Sequence, residues 1–236
     1  GPMMPWRRAT LDRLRHNLLQ PFLFAVAVTL MVGLAGIHKP WALAAILACG
    51  FVVGTIALEF VRGVRTRRRA GHSWLGATFG LVQVNNRRYG GYIAHLGVVI
   101  MAVAIVASQF YQIERDVTLT PGEQVQVGPY QLVFRGLTEE VVPGKRIVVA
   151  NLDVLEGGQL VNQMRAEKAY HRNYENQPST KVGLYPTLRD DLYVVLMGWD
   201  ETGRAGFFIF VTPLVTWLWI GGAVLIIGTL IALAPT

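Results

Sequence analysis

The chain has 236 residues, 52% of them hydrophobic, and a mean hydropathy of +0.37. These values are typical of a membrane protein with a sizeable polar part and argue against an ordinary soluble domain. The formal net charge is +7, yet the basic residues are concentrated outside the region predicted to form the polar domain, which argues against a nucleic-acid-binding protein.

The charge is divided unevenly between three regions. Residues 1–17 and 62–88 hold eleven of the 22 Lys and Arg residues and a single acidic residue, Asp12, whereas residues 112–206 hold ten basic and thirteen acidic residues. Lys and Arg concentrate in the short cytoplasmic segments of membrane proteins. We therefore expect the basic lead-in at 1–17 and the segment 62–88 to be cytoplasmic, and 112–206 to be extracytoplasmic.

Four apolar segments are each long enough to cross a bilayer, because about 20 helical residues span a hydrocarbon core of roughly 30 Å. In the second of them, Gly50 and Gly54 form a small-residue face suited to close helix packing. Because four spans return the chain to the side on which it started, and 1–17 is expected to be cytoplasmic, both termini are expected on the cytoplasmic side. The predicted spans are Leu18–Ile37 and Trp41–Val61, which form a hairpin over 18–61, followed by Tyr89–Tyr111 and Phe208–Leu233.

The basic segment 62–88 contains the densest run of cations, RGVRTRRRAGHSW. Within it, the mixed pattern of Ser73–Asn86 predicts an interfacial segment that lies on the membrane or against other helices. Glu59 precedes this segment directly. We predict that its carboxylate pairs with Arg62 or another nearby arginine and does not relay protons.

Residues 112–206 alternate short apolar runs with turn signals such as Pro121-Gly122 and Pro143-Gly144. Six or more short strands at this spacing predict an all-β domain, either a small barrel or a sandwich. The polar stretch HRNYENQPST is predicted to be a loop, with its first residue, His171, at the surface. The predicted fold class is an integral membrane protein, mostly α with four transmembrane helices, that carries an all-β extracytoplasmic domain.

His95 is an ionisable residue inside the third predicted span. A histidine in a membrane segment is costly unless it faces protein, water or a metal, which makes it a candidate functional residue. On a helix, Gly91 and Val98 lie one turn to either side of it and Ala102 lies two turns on, so a partner helix or a macrocycle has room to approach. The spacing leaves two hypotheses open: a ligand role, or a histidine near the helix end that bonds a neighbouring helix.

The sequence has no catalytic motif: no phosphate loop, Ser-His-Asp set or His/carboxylate metal cluster is recognisable. Asp190 and Asp191 are adjacent on a predicted strand, where they point to opposite faces and make a poor acid/base pair. Cys49 is the only cysteine, which excludes an intrachain disulfide and a cysteine-based metal site. We predict no catalytic residue in this chain.

Three stretches resemble one family: RRYGGYIAHLGVV at 87–99, TLRDDLYVVLMGWD at 187–200 and TPLVTWLWIGG at 212–222. Together with PWRR at 5–8, they are similar to the C-terminal part of CcmF, the cytochrome c-type biogenesis (haem lyase subunit) family of system I. The resemblance implies a bacterial inner-membrane protein with 112–206 in the periplasm. It also implies a part in the covalent attachment of haem to apocytochrome c.

A cofactor and partners follow from the same resemblance. His95 corresponds to the second of two transmembrane histidines that hold a structural haem b in this family, which implies that it is an axial ligand of the haem iron. Gly91, one turn away, is expected to leave room for the ring. The implied partners are the N-terminal half of the same protein, the thioredoxin-fold protein CcmH, the haem chaperone CcmE, apocytochrome c and membrane lipid, with no nucleic acid.

Several parts of the family pattern are absent from this sequence. The tryptophan-rich WWD segment, two periplasmic haem-ligating histidines and the first transmembrane histidine belong to the N-terminal part of the family. We therefore expect this chain alone to be inactive as part of a holocytochrome c synthase. Because its opening, GPMMPWRR, has no signal-peptide core, we expect residues left from expression or a piece of a longer protein, such as a split subunit. The alternative function is a non-catalytic, membrane-anchored β-domain scaffold that recruits partner proteins.

Overall fold

A computed structural model describes residues 11–69, 73–172 and 174–234. The first ten residues of the predicted basic lead-in lie outside these ranges. The chain separates into two compact units, a helical unit that ends at Phe110 and resumes at Trp217, and a β unit over Tyr111–Thr216. The predicted division into a helical membrane part and an all-β domain is confirmed.

The helical unit contains four helices that are long and apolar enough to cross a membrane, as predicted, and one shorter helix, α3. Ser73 caps α3, its hydroxyl oxygen accepting a hydrogen bond from the backbone N–H of Gly76 at 3.1 Å. In the described ranges the helices are α1 Leu11–Leu34, α2 Pro40–Arg69, α3 Trp74–Val84, α4 Asn86–Phe110 and α5 Val215–Leu233.

The helix that carries the predicted second span is longer than the span itself. Helix α2 continues past Val61 to Arg69, because arginine is a good helix former and the positive side chains extend into water beyond the apolar part. The segment Ser73–Asn86, predicted to be interfacial, is largely the helix α3. The close helix packing expected at Gly50 is confirmed, and the helix that packs there is α1. A Cβ atom at Gly50 would lie 3.2 Å from Cα of Ala25.

The predicted start of the last span, Phe208, is wrong. Residues Ala205–Pro213 form a strand and α5 begins only at Val215. Phe207, Ile209 and Val211 point into the β core and alternate with outward-facing residues. This alternation makes the stretch a strand, although it is apolar enough to belong to a membrane span. Leu214, with φ of 60°, makes the turn between strand and helix.

The β unit is a sandwich of two antiparallel sheets, with strand orders β1-β9-β8-β7 and β2-β3-β4-β5-β6. Of the two predicted architectures, the structure adopts the sandwich. The strands are β1 Ile113–Leu119, β2 Gln124–Val127, β3 Tyr130–Val142, β4 Lys145–Glu156, β5 Gln159–His171, β6 Tyr174–Lys181, β7 Gly183–Pro186, β8 Asp190–Trp199 and β9 Ala205–Pro213.

The sandwich core is formed by alternate residues of both sheets. Phe134 of β3 meets Phe207 of β9 edge to face, with ring centroids 5.1 Å apart. Most of the polar stretch HRNYENQPST is not a loop, because it forms the end of β5 and the edge strand β6. An edge strand needs no apolar alternation and tolerates a proline such as Pro178. His171 is exposed, as predicted.

Candidate functional site

Helix α4 carries His95 and has three different faces. The first face of α4 packs on α2. The rings of Tyr89 and Tyr92 are buried and lie 5.0 and 6.2 Å from the ring of Phe60. Nε of Arg88 donates a hydrogen bond to the Tyr92 hydroxyl at 2.9 Å. The same guanidinium pairs with Glu59, which also lies 3.7 Å from Arg62. The predicted pairing of the Glu59 carboxylate with arginine is therefore confirmed.

A second face of α4 meets α5 backbone to backbone. A Cβ atom at Gly90 would lie 2.5 Å from the backbone nitrogen of Ala232, and one at Gly97 would lie 2.5 Å from that of Leu225. At the end of the contact, the Asn86 amide donates a hydrogen bond to the carbonyl oxygen of Ala234 at 2.7 Å. The absence of side chains at the glycines is what allows this approach.

The third face of α4 is open, and His95 lies on it. His95 is exposed, and Val98 and Ile105 on the same face are 48% and 50% exposed. A Cβ atom built on Gly91 would meet no other atom within 4 Å. Within the described ranges, His95 bonds no neighbouring helix. The exposed ring can meet a ligand or a further helix, so both hypotheses stay open.

The hydrogen bond of His95 determines which of its two ring nitrogens is available to bind a metal. Nδ1 lies 2.7 Å from the carbonyl oxygen of Gly91. A carbonyl oxygen only accepts, so Nδ1 is the donor, and in the neutral form of the ring Nε2 presents its lone pair. Metal-binding histidines commonly donate their other N–H to a backbone carbonyl in this way. None of the described residues bonds Nε2, and together with the open space beside Gly91 this fits an axial ligand of a haem iron.

The two aspartates of the TLRDD stretch are structural. The Tyr130 hydroxyl donates to Oδ1 of Asp190 at 2.6 Å, and Nε of Arg189 donates to Oδ2 at 2.8 Å. Burial, together with the Asp190 hydrogen bond, raises the pKa of Tyr130 to about 12. Asp191 instead accepts from Thr216 at 3.4 Å, and its pKa is raised by burial.

Tyr130 and Arg189 bond Asp190, whereas Thr216 bonds Asp191, as expected where adjacent residues of a strand face opposite sides. Sequence reasoning singled out both aspartates but missed Tyr130, because the tyrosine is distant along the chain and only strand packing brings it to Asp190.

A second candidate site on the β unit is a cleft that sequence reasoning also missed. It has a volume of about 610 Å³ and lies at the end of the β3–β4 hairpin. The Arg146 guanidinium lies 5.1 Å from the centroid of the Tyr170 ring, and Val141 is 78% exposed. Its cations, apolar side chains and ring suit an acidic peptide. The lining residues are Val141, Val142, Gly144, Lys145, Arg146, Tyr170 and Arg172.

Comparisons with known proteins point to one family. A family model described as the CcmF C-terminal beta-sandwich matches residues 110–213. The cytochrome c-type biogenesis protein CcmF of Haemophilus influenzae is 28% identical over 99% of this chain. CcmF of Escherichia coli is also 28% identical over 99% of this chain. The match covers 35% of the Haemophilus protein and 34% of the Escherichia protein, so the chain spans about a third of these relatives.

A solved structure is similar over the whole chain. The cytochrome c haem lyase CcmF has a TM-score of 0.80 and 28% sequence identity, with 100% of this chain and 37% of that protein covered. The likeness therefore includes the helices as well as the sandwich.

Proposed function

This chain is a homologue of the C-terminal part of CcmF, the cytochrome c-type biogenesis protein, and we propose that it acts in the covalent attachment of haem to apocytochrome c. It would do so as one part of a membrane haem lyase, alongside the N-terminal half of the same protein. Thioether formation joins cysteine thiols to haem vinyl groups, so neither substrate needs an activated nucleophile from this chain.

His95 is proposed as one axial ligand of a structural haem b. The observation that carries this proposal is the open face of α4, where Nε2 is free because Nδ1 donates to Gly91. The Gly91 carbonyl holds the imidazole plane in place, and the missing side chain at Gly91 leaves room for the edge of a flat ring. When bound, the haem would supply one-electron redox chemistry that keeps substrate haem iron ferrous. The second histidine would come from the N-terminal half.

The proposed location is the bacterial inner membrane, with both termini cytoplasmic and the β unit periplasmic. The charge distribution supports this orientation, because arginines cluster at the end of α2 and the start of α4 while the β unit is acidic. CcmH, CcmE and apocytochrome c would then meet the β unit on the periplasmic side.

The test is an absorption spectrum of the detergent-purified chain, alone and coexpressed with the N-terminal half. We expect a low-spin b-type spectrum on dithionite reduction only in the coexpressed sample, lost in His95→Ala and kept in the matched control His171→Ala. Added imidazole should restore the band in His95→Gly. Full haem content in the coexpressed His95→Ala protein would refute the ligand assignment.

A second candidate function is a scaffold that recruits partners through the β unit. The basic and aromatic cleft at Lys145, Arg146 and Tyr170 favours it. Under this function, Lys145→Glu/Arg172→Glu would abolish partner pull-down and leave the haem content of the coexpressed sample unchanged. The control Lys181→Glu lies outside the cleft on β6 and should retain the partner.

A further inference from the structure

A second cleft, of about 370 Å³, lies where α2 ends and α3 begins. Among the residues that the structure describes, its lining contains Arg65, Arg68, Arg69 and Trp74. The three arginines are spaced i, i+3 and i+4, so they share one face of α2. The Arg68 guanidinium lies 4.2 Å from the centroid of the Trp74 ring, which joins the two helices across the cleft by a cation–π contact.

With Trp41–Val61 across the hydrocarbon core, as the sequence predicts, the cleft would lie at the depth of lipid headgroups. The apolar part of α2, Trp41–Val61, is about 31 Å long at about 1.5 Å per residue, close to the thickness of a hydrocarbon core. Arg65 and Arg69 follow within the next two turns, where the headgroups begin. Trp74 is 61% exposed, and tryptophan is enriched at this interface.

The positive charge of the cleft is not compensated within the described ranges. Glu59, the one carboxylate of α2, pairs with Arg62 and Arg88. Among the residues that the structure describes, no carboxylate lies within 4 Å of Arg65, Arg68 or Arg69. Like charges at i, i+3 and i, i+4 repel each other, so an anion between them would stabilise the end of the helix.

We propose that this cleft binds the headgroup of an anionic phospholipid, with the phosphate held between Arg65, Arg68 and Arg69. Guanidinium groups match phosphate oxygens with paired hydrogen bonds, and a basic cluster directly beyond a transmembrane helix attracts anionic lipid. The headgroup depth and the exposed Trp74 ring favour a lipid over free phosphate, because the ring offers apolar contact to the glycerol and upper acyl chain. This site is independent of His95 and of the proposed haem.

The test is native mass spectrometry of the full chain in a non-ionic detergent, titrated with phosphatidylglycerol or phosphatidylcholine. We expect phosphatidylglycerol to bind more tightly. Arg65→Gln/Arg69→Gln should weaken it by about 30-fold and leave phosphatidylcholine unchanged. The control Arg62→Gln/Arg87→Gln removes two charges outside the cleft and should retain the affinity within about threefold.

Three results would overturn the proposal. The first is an equal loss of phosphatidylglycerol affinity in the two double variants. The second is equal affinity for the two lipids, and the third is inorganic phosphate that binds as tightly as phosphatidylglycerol. If Arg65→Gln/Arg69→Gln loses its helical circular dichroism, Trp74→Ala replaces it and should still lower phosphatidylglycerol affinity several-fold. Unchanged affinity in Trp74→Ala would count against the site.

Discussion

Nδ1 of His95 donates a hydrogen bond to the carbonyl oxygen of Gly91 at 2.7 Å, one helical turn earlier on α4. This one contact sets the tautomer of the ring and directs Nε2 away from the helix backbone. It also places the residue with the least bulk, glycine, directly beside the proposed ligand. Haem content tests the roles of His95 and Gly91, and thermal stability tests the helix contacts that hold α4.

Filling the space at Gly91 should reduce haem binding without unfolding the chain. Gly91→Leu introduces a side chain on the open face beside His95, where an added Cβ meets nothing within 4 Å. We expect the coexpressed sample to lose most of its b-type absorbance. Gly222→Leu is the matched control, because Gly222 on α5 is equally open. Equal haem content in the two variants would show that Gly91 does not border the haem.

Adding a methyl group at Gly97 should destabilise the helical unit, although alanine usually stabilises a helix by about 1 kcal/mol over glycine. The new Cβ would lie 2.5 Å from the backbone nitrogen of Leu225, which cannot move as a side chain can. Gly97→Ala should therefore lower the Tm in detergent, whereas Gly91→Ala and Gly222→Ala should keep or raise it. A raised Tm in Gly97→Ala would contradict the close contact of α4 with α5.

Removing the Tyr130 hydroxyl should destabilise the β unit. Tyr130→Phe takes one donor from the buried Asp190 carboxylate and leaves it mainly with Arg189. An unsatisfied hydrogen bond of this kind costs about 1–3 kcal/mol. The free energy of unfolding, measured in denaturant by tryptophan fluorescence, should fall by that amount. Tyr185→Phe, on a ring that packs against Tyr130, should change it little.

The turn between β8 and β9 should respond to pH through Asp200. Its carboxylate accepts from the Thr202 hydroxyl and from Arg204 Nε at 2.9 Å, which lowers its pKa from 3.8 to about 2. Because the folded-state pKa is depressed, the stabilisation is complete above about pH 4 and is lost as the pH falls through 2. The stability difference between the unmodified chain and Asp200→Asn should therefore shrink over that window.

Glu201→Gln is the charge-matched control for Asp200→Asn, since it removes the adjacent acid. It should produce a smaller difference in stability than Asp200→Asn. A difference for Asp200→Asn that stays constant from pH 5 to pH 2 would contradict the hydrogen-bonded turn.

Much of the helical unit could be predicted because hydropathy is a local property. The apolar runs around Gly50 and His95 are long enough to span a membrane whatever they pack against. The same local criterion failed at Phe208–Pro213, where an apolar strand and an apolar helix follow each other without a polar break. Only pairing with β1 and β8 shows that this stretch belongs to the sandwich.

Part of the candidate site could likewise be predicted from the sequence, and part of it could not. His95 and Gly91 could be singled out from the sequence, since an ionisable residue in an apolar run and its neighbours one turn away are visible without any fold. The sequence could not show that His95 and Gly91 lie on the open face of α4. That depends on α2 covering Tyr89 and on α5 covering Gly90 and Gly97, contacts with residues far along the chain.

The sequence by itself therefore determined the membrane class, the β domain and the pairing of Glu59 with arginine, and it singled out His95 as a candidate. The tertiary structure alone decided that His95 lies on the open face, that Tyr130 satisfies Asp190, and that arginines of α2 meet Trp74 of α3 around a cleft. The physical reason is that apolar length and alternation act over a few neighbouring residues. A site, by contrast, is made by surfaces that come together only when distant segments pack.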